Sequence, residues 1–398
     1  MRRLIILGSV AYLTIGFGHV VAGTVMESMV QSYGIQYADG GQLVMNQFLG
    51  LVAGMLLMPW LVGRFGYRRP LLCAFALLAL AEAAYALKPP WAAMLAVAPA
   101  AGIGLGLIEA LVGAFVITAA KEKANVAMSR IEVFFSIGAL LIPLVGAVLI
   151  SAGIWQAGFA VNAILALATF AVWSRFWPKE AQDRAAASAV SAGDAEDKTG
   201  RVPGFWPIIL SGCLFFFIYV GMEMSFTHYF PSLLVQQNGL SESAAALSLT
   251  VFWGAMTIGR LAAGPAADRW GGGAYLLAMC GLCLAAFAVM LVLNGAAALF
   301  GLSFAVGLAM SGMYSIALVF VNRALPGLTE RTTSALMACG SMGGALLPKL
   351  TGFVFDASGP RSSKWLFAAM AFLLLACIVF TVLADRRFKR DGVQRRAA

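Results

Sequence analysis

The chain has few charged residues. Asp, Glu, Lys and Arg together make up 11% of its 398 residues, whereas hydrophobic residues make up 61% and the mean hydropathy is +0.87. A soluble domain contains about 25% charged and about 45–50% apolar residues, so this sequence lacks the polar surface that a globule needs in water. The composition therefore excludes a cytosolic enzyme, a nucleic-acid-binding module and a secreted domain built on disulfides.

Metal-binding and catalytic patterns are also missing. The chain has two histidines and six cysteines, and every cysteine lies inside an apolar run. Cys280 and Cys283 form a C-x-x-C pair, but no second pair and no histidine stands nearby in the sequence to complete a metal site. No nucleophile–base pattern is visible either. The sequence therefore predicts neither an enzyme nor a bound cofactor.

What the sequence does contain is a series of long apolar runs. A helix needs about 20 residues to cross a bilayer, and these runs do not alternate as a strand would. Charges, Pro or Gly bound twelve such runs, near residues 4–31, 42–62, 70–87, 91–119, 131–151, 155–176, 206–236, 244–266, 274–293, 296–322, 333–354 and 364–384. The predicted fold is an all-α membrane protein with twelve transmembrane helices.

A polar segment divides the twelve spans into two sets of six. Residues 177–205 are rich in Ala, Ser, Asp, Glu and Lys and show no apolar periodicity, which is typical of a solvated linker. The predicted domains are a bundle at 1–176, this linker, and a second bundle with a short basic tail at 206–398. Arg2 and Arg3 precede the first run without a small-residue cleavage site, which favours a retained span over a signal peptide.

Basic residues are distributed unevenly between the loops. If both termini lie on one side of the membrane, the loops of the other side hold only Lys88, Arg361 and Lys364, and 22 of the 27 basic residues lie on the side of the termini. Cytoplasmic loops are the ones enriched in Lys and Arg. We therefore predict cytoplasmic termini and a cytoplasmic linker in a bacterial cytoplasmic membrane. The same bias explains the net charge of +9, so no nucleic-acid partner is expected.

Two motifs recur at a constant spacing of 205 residues. The pattern Ser-x-Gly-x-x-Leu-x-Pro at 136–143, in the fifth span, recurs at 341–348 in the eleventh. The pattern Arg-x-Gly at 64–66, after the second span, recurs at 269–271 after the eighth. Two separate motifs with one offset indicate a duplicated six-helix unit. Such a unit resembles the parallel repeat of major facilitator transporters, and the resemblance implies a substrate site between the halves near the bilayer midplane.

One loop motif resembles the signature of the major facilitator superfamily. Residues 264–271 read Gly-Pro-Ala-Ala-Asp-Arg-Trp-Gly, and a first-half copy at 59–69 keeps the basic residues. The resemblance implies that these loops tie helices together by charge on the cytoplasmic face in one conformation and release them in the other. The implied latch residues are Gly63, Arg64, Arg68, Asp268 and Arg269. Because Gly63 stands where the family usually has Asp, we expect the first-half latch to be the weaker one.

Ionisable side chains inside the spans are candidates for function, since each costs at least about 2.5–3.5 kcal/mol to place at membrane depth. Glu109 in the fourth span is flanked by Gly102, Gly106 and Gly113, which let helices approach closely. A carboxyl in such dry surroundings can hold a proton and release it when water enters, as a proton-coupled carrier requires. The alternative is a permanently protonated acid that joins two helices.

Polar residues of other spans are candidates for the substrate site. Glu223 lies in the seventh span, which commonly lines the cavity of this fold, and His228 is five positions further on, too far round the helix for a direct pair. His19 in the first span is a weaker candidate, because a lone histidine is often a packing residue. In the second span Gln47 and Asn46 can both donate and accept hydrogen bonds, and the sequence does not show which one faces inward.

Three other charged residues in the spans have interpretations besides substrate binding. Glu132 follows Arg130 at the start of the fifth span, where an interfacial charge pair and a cavity role fit the spacing equally well. Glu82 lies in a span that is often peripheral, so we interpret it as structural or near the outer headgroups. Arg260 precedes the second-half loop motif, and we expect it to hold helices together rather than to bind substrate.

Three segments resemble the fucose–galactose–glucose:proton symporter branch of the superfamily. They are Gly-Leu-Ile-Glu-Ala-Leu-Val-Gly-Ala-Phe-Val at 106–116, Met-Ser-Arg-Ile-Glu-Val-Phe-Phe-Ser-Ile-Gly-Ala-Leu at 128–140, and Tyr-Val-Gly-Met-Glu at 219–223. The resemblance extends over nearly the whole chain. It implies proton-coupled symport of a hexose of the glucose and mannose type by alternating access, with Glu109 as the proton-carrying acid.

The sequence departs from this branch in two places. The fucose members also use a first-span aspartate, whereas here the neighbourhood offers only His19. Either His19 or Glu132 substitutes for it, or coupling uses a single acid. Lys349, directly after Pro348 in the eleventh span, stands where an apolar residue is expected. If Lys349 faces the cavity, it favours an anionic or zwitterionic solute.

We therefore predict a monomeric carrier in a lipid bilayer whose partners are protons and a hexose or similar polar solute. Carboxylates, amides and aromatics suit a sugar, because each buried hydroxyl needs a partner. Two alternatives stay open. One is a proton-driven exporter of a drug or amphoteric metabolite, which Lys349 would favour. The other is a receptor-like membrane protein that has lost transport, against which the intact Glu109 argues.

Overall fold

The structure is a computed structural model of the chain, and it describes residues 2–120, 124–178, 205–324 and 329–397. Most of the predicted linker at 177–205 therefore lies outside the described residues. Every regular element in the described ranges is an α-helix. The helices are α1 (Arg2–Thr24), α2 (Met26–Tyr33), α3 (Tyr37–Phe65), α4 (Arg68–Ala86), α5 (Trp91–Ala120), α6 (Ala124–Ser151), α7 (Ala157–Arg175), α8 (Phe205–Asn238), α9 (Glu242–Trp270), α10 (Gly272–Val292), α11 (Ala296–Met310), α12 (Met313–Ala324), α13 (Thr329–Ser358) and α14 (Pro360–Ala397).

These helices account for the twelve predicted spans. Within the described ranges, eleven segments are long and apolar enough to cross a membrane, with α11 and α12 counted as the single segment Ala296–Ala324. The twelfth is α13, which is 30 residues long. It is less apolar than the other eleven because it carries Lys349 and several Ser, Thr and Gly residues.

Two predicted spans are interrupted in the structure. The run at 4–31 is divided at Val25, whose backbone angles (φ −104°, ψ 11°) separate α1 from α2. The run at 296–322 is divided between α11 and α12 at Gly312, where an added methyl group would overlap Ala263 and the Tyr275 hydroxyl. Neither break is visible in the apolar pattern, because apolar residues continue on both sides of it.

Contacts divide the chain into two compact units. The first unit consists of residues 1–198 with 241–250, and the second consists of residues 199–240 with 251–398. In the first unit, α3 packs mainly on α5, and α1 packs mainly on α6. In the second unit, the most extensive pairing is between α8 and α13. The predicted domain boundaries at 176 and 206 stay predictions.

The repeated Ser-x-Gly-x-x-Leu-x-Pro motif has the same packing role in both units. A methyl group at Gly138 of α6 would overlap the backbone carbonyl of Leu13 in α1. A methyl group at Gly343 of α13 would overlap the backbone carbonyl of Phe217 in α8. In each unit the motif's glycine therefore lets a later helix contact the backbone of the unit's first long helix, as small residues do in membrane helix pairs.

The second repeated motif, Arg-x-Gly, has the same backbone conformation in both copies. Gly66 follows α3 and Gly271 follows α9, with φ of +69° and +85°. The Gly66 amide donates to the Val62 carbonyl and the Gly271 amide donates to the Ala267 carbonyl, each at 2.9 Å. Glycine adopts positive φ without steric cost, so both copies end a helix in the same way.

Candidate functional site

His19 and Gln47 meet in the first unit. The His19 ring is buried, its Nδ1 lies 2.9 Å from the Ile15 carbonyl, and it makes edge contacts with the rings of Phe48 and Phe135. Gln47 is also buried, and its Nε2 donates to the carbonyl of Gly18, next to His19, at 3.4 Å. These two predicted residues therefore lie close together where α1 meets α3.

The side chains of Asn46 and Gln47 point toward different helices. Its Nδ2 donates to the Leu95 carbonyl at 3.2 Å, and its Oδ1 accepts a hydrogen bond from Gln42 at 2.7 Å. The structure therefore separates the two neighbours: Gln47 is directed at α1, and Asn46 is directed at α5. The sequence could not decide between them.

Glu109 and Glu132 form an acidic pair in the first unit. Glu109 on α5 and Glu132 on α6 are each partly exposed, and they lie close enough for their charges to interact. The predicted glycines explain the position of α5: methyl groups at Gly102 and Gly106 would overlap the backbone of α3 at Gln47 and Leu51. Gly113 instead faces side chains, with the Tyr12 hydroxyl 3.3 Å from an added methyl group.

Glu223 in the second unit is buried in a small polar cluster. The Tyr219 hydroxyl, one turn earlier on α8, lies 3.4 Å from Glu223 Oε1 and 3.0 Å from the Met310 carbonyl. Arg260 on α9 lies near enough to act electrostatically on both side chains. A carboxylate with a cation and a phenol beside it offers several hydrogen-bonding groups to a polar ligand.

Two further candidates, His228 and Lys349, also lie in the second unit. The His228 ring is 1% exposed, and its Nδ1 lies 2.7 Å from the Met224 carbonyl of the preceding turn. Lys349 lies on α13 and is partly exposed. Their roles in binding stay predictions.

The first-half latch residues make contacts with aromatic rings and a backbone carbonyl. Arg64 lies over the rings of Trp60 and Phe65, at 5.9 and 5.6 Å from the ring centroids. Arg68 donates to the Ser174 carbonyl at 3.3 Å and thereby connects the start of α4 to the end of α7. Gly63 has no neighbouring atom within 4 Å of an added methyl group.

The second-half latch residues are exposed. Asp268 and Arg269 both lie at the C-terminal end of α9 and face away from the packed interior. The charged contact that the loop motif implies is thus not seen for these two side chains among the described residues. The latch stays a prediction about another conformation.

Two polar residues were not proposed from the sequence. Tyr219 lies four residues before Glu223, a spacing that places both on one helix face and is the signal that could have marked it. Asn162 on α7 has no repeat or motif to mark it. It lies beside Glu82, which is 0% exposed inside the first unit. Glu82 is therefore packed against α7 inside the first unit, and its depth in the membrane stays a prediction.

The fold and these polar groups define a class of protein: a multi-pass helical membrane protein with carboxyl groups inside its spans, as secondary transporters have. No group of three or more His, Cys, Asp and Glu side chains that could hold a metal occurs among the described residues. The Major Facilitator Superfamily matches residues 8–326 and, in a second match, residues 229–397. The chain therefore belongs to the Major Facilitator Superfamily, a family of membrane transporters and not of enzymes.

Individual relatives agree with this assignment. The chain is 26% identical over 389 residues to the glucose/mannose transporter GlcP of Bacillus subtilis, which covers 95% of this chain and 94% of the relative. It is 27% identical over 255 residues to a glucose/galactose transporter of Brucella abortus, or 60% of this chain and 59% of the relative. Among solved structures, the xylose transporter XylE from E. coli superposes with a TM-score of 0.75 at 17% identity, over 94% of this chain and 97% of that one.

Proposed function

We propose that the protein is a proton-coupled symporter of a hexose of the glucose and mannose type, working by alternating access in a bacterial cytoplasmic membrane. Both termini lie in the cytoplasm, and the working unit is a monomer. Family membership supports the transport class. The sugar and the proton are inferred from relatives together with the polar groups inside the spans.

The observation that carries the proposal is the similarity to the B. subtilis glucose/mannose transporter, which extends over 95% of this chain. That coverage includes the fourth and fifth spans, where Glu109 and Glu132 interact. A relative that is named a glucose/mannose transporter and is matched over 94% of its length favours a sugar carrier. An acidic pair inside the spans favours coupling of that carrier to protons.

In the first unit, the Glu109–Glu132 pair is the proton-coupling site of this proposal. Two carboxylates at close range repel each other, so a proton that binds to either one relieves the repulsion. Both side chains are partly exposed, and the proposal requires that water reaches the pair. Proton binding then neutralises a charge that would otherwise oppose the movement of this part of the protein through apolar surroundings.

In the second unit, Glu223, Tyr219 and Arg260 are the proposed sugar-binding groups. For Arg260 this proposal replaces the helix-holding role expected from the sequence, because Arg260 acts electrostatically on both other side chains. A carboxylate can accept hydrogen bonds from two neighbouring sugar hydroxyls, and a guanidinium donates several. Because a buried hydroxyl without a partner is costly, such a cluster discriminates a hexose from an apolar solute. His19 and Gln47 offer one acceptor and one donor near α1, and Lys349 and His228 are weaker candidates.

The experiment is uptake of labelled glucose and mannose into proteoliposomes that contain the purified protein, under an inward proton gradient. We expect accumulation that a protonophore abolishes. Glu27→Gln is the matched control, because Glu27 lies on the short helix α2 and is bonded to Gln31 and Tyr37. The control should accumulate sugar like the wild type.

A proton-driven exporter of an amphoteric solute is the second candidate, and Lys349 is the observation that favours it. A lysine inside a spanning helix can hold an anionic group of a solute. Absence of sugar uptake in the same proteoliposomes, combined with proton-driven efflux of such a solute that Lys349→Met abolishes, would replace the symporter proposal.

A further inference from the structure

Glu82 is a buried acid that the proposed transport mechanism does not use. It lies on α4, it is 0% exposed, and neither carboxyl oxygen has a hydrogen bond of normal geometry within the described residues. Tyr85, one turn later, is also buried, and its hydroxyl likewise has no hydrogen-bond partner in the described part of the chain. This clustering of polar atoms inside an apolar bundle requires an explanation.

Asn162 of α7 lies beside the Glu82 carboxyl. It is 0% exposed, and within the described ranges neither its Oδ1 nor its Nδ2 has a hydrogen bond of normal geometry. Gly18 of α1 makes room for this amide, since a methyl group there would lie 2.9 Å from Nδ2. Three helices, α1, α4 and α7, thus enclose one carboxyl and one carboxamide.

The donor and acceptor pattern of this pair distinguishes the two protonation states. A protonated carboxyl has one O–H donor and one free carbonyl oxygen, and a carboxamide has N–H donors and one acceptor oxygen. The two groups can therefore form a pair of antiparallel hydrogen bonds. An ionised carboxylate would instead leave the amide oxygen facing a negative oxygen, with no donor between them.

The charged groups around Glu82 also favour the protonated carboxyl. α4 packs on α5 and α7. No cation among the described residues acts on Glu82, and the titratable side chain that interacts with it is Tyr85. The acid of α5, Glu109, interacts with Glu132 instead. An isolated carboxylate at membrane depth costs at least about 2.5–3.5 kcal/mol, and no cation among the described residues offsets that cost at Glu82.

We propose that Glu82 and Asn162 form a second proton-binding site in the first unit, separate from the Glu109–Glu132 pair, in which a neutral Glu82 carboxyl exchanges two hydrogen bonds with the Asn162 amide. Because Asn162 rests on Gly18, whose carbonyl accepts from Gln47, the occupancy of this site is linked to the position of α1. The site stands on the packing of α1, α4 and α7 and not on the identity of the transported solute.

The test is infrared difference spectroscopy of the purified full-length protein at neutral pH, in light and heavy water. The wild type should show the carbonyl stretch of a protonated carboxylic acid, shifted in heavy water, and Glu82→Gln should lose this band. Glu27→Gln should retain it, since the Glu27 carboxylate is held by Gln31 and Tyr37. Recording all spectra in a background that carries both Glu109→Gln and Glu132→Gln removes any contribution of the coupling pair.

A second variant covers the case in which Glu82→Gln is poorly folded. Asn162→Leu removes the amide partner, so the carboxylic acid band should move to higher frequency as its carbonyl loses a hydrogen bond. Loss of a carboxylate band in Glu82→Gln, with the acid band unchanged, would overturn the proposal. So would an acid band that Asn162→Leu leaves in place. Neither readout requires transport, so the result is independent of the proposed function.

Discussion

The Tyr219 hydroxyl lies 3.4 Å from the Glu223 carboxylate and 3.0 Å from the Met310 carbonyl. Tyr219 thereby connects a candidate sugar-binding acid to the backbone at the end of α11. Its single proton can serve only one acceptor fully at a time, and a sugar hydroxyl that approaches Glu223 would compete for the same oxygen. The pair therefore offers a direct test of the second unit's role.

Removing the hydroxyl should weaken sugar binding. In Tyr219→Phe the Glu223 carboxylate loses a partner that orients it, and a hydrogen bond of this kind contributes about 1 kcal/mol. We expect the KM for sugar uptake to rise by about fivefold, with kcat within about twofold of wild type. Tyr33→Phe is the control, because the Tyr33 hydroxyl donates to the Pro89 carbonyl in the first unit. An unchanged KM in Tyr219→Phe would argue against the cluster as a binding site.

The repeated glycines should be equally intolerant of a methyl group. Gly138→Ala and Gly343→Ala each force a methyl group into a neighbouring backbone, and such overpacking costs about 1–3 kcal/mol. Both variants should lower the Tm in detergent. Gly281→Ala in α10, where an added methyl group meets no atom within 4 Å, should leave the Tm unchanged or raise it, because Ala stabilises a helix by about 0.5–1 kcal/mol over Gly. Equal Tm values for all three variants would contradict the packing description.

The predicted orientation can be tested by cysteine labelling. In a cysteine-free background, Lys88→Cys should react with a membrane-impermeant maleimide added to intact cells, since Lys88 is exposed at the end of α4. Arg175→Cys, exposed at the end of α7, should react only after the membrane is opened. The reverse pattern would place the termini outside the cytoplasm.

The charge of Asp268 should affect the rate of the cycle more than the affinity. If the latch forms in another conformation, Asp268→Asn removes a surface charge contact of about 0.2–1 kcal/mol. We expect kcat to change by up to about fivefold with KM unchanged, while Asp268→Glu, which keeps the charge, behaves like the wild type. Wild-type kinetics for Asp268→Asn would remove the latch from the mechanism.

Sequence patterns predicted the helical class and the twofold repeat because those features follow from composition and spacing. Long apolar runs exclude a soluble fold. The offset of 205 residues relates Gly138 to Gly343, and both glycines pack against the backbone of the first long helix of their unit. The break at Val25 could not be predicted, since apolar residues continue through it.

The neighbouring helix that each polar side chain contacts could be predicted only in part. Gly102 and Gly106 were expected to bring helices together, and they contact α3. Asn46 and Gln47 were indistinguishable, because adjacent residues differ only in which neighbouring helix they meet. Glu82 was interpreted without knowledge that α7 presents Asn162 to it. Such pairings depend on tertiary contacts that no single stretch of sequence contains.

The most direct measurement is a comparison of two transport modes in Glu109→Gln. Glutamine cannot release a proton, so sugar accumulation driven by a proton gradient should be lost. Exchange of labelled for unlabelled sugar, which needs no net proton movement, should continue in proteoliposomes loaded with glucose or mannose. Undiminished proton-driven accumulation by Glu109→Gln would contradict the account.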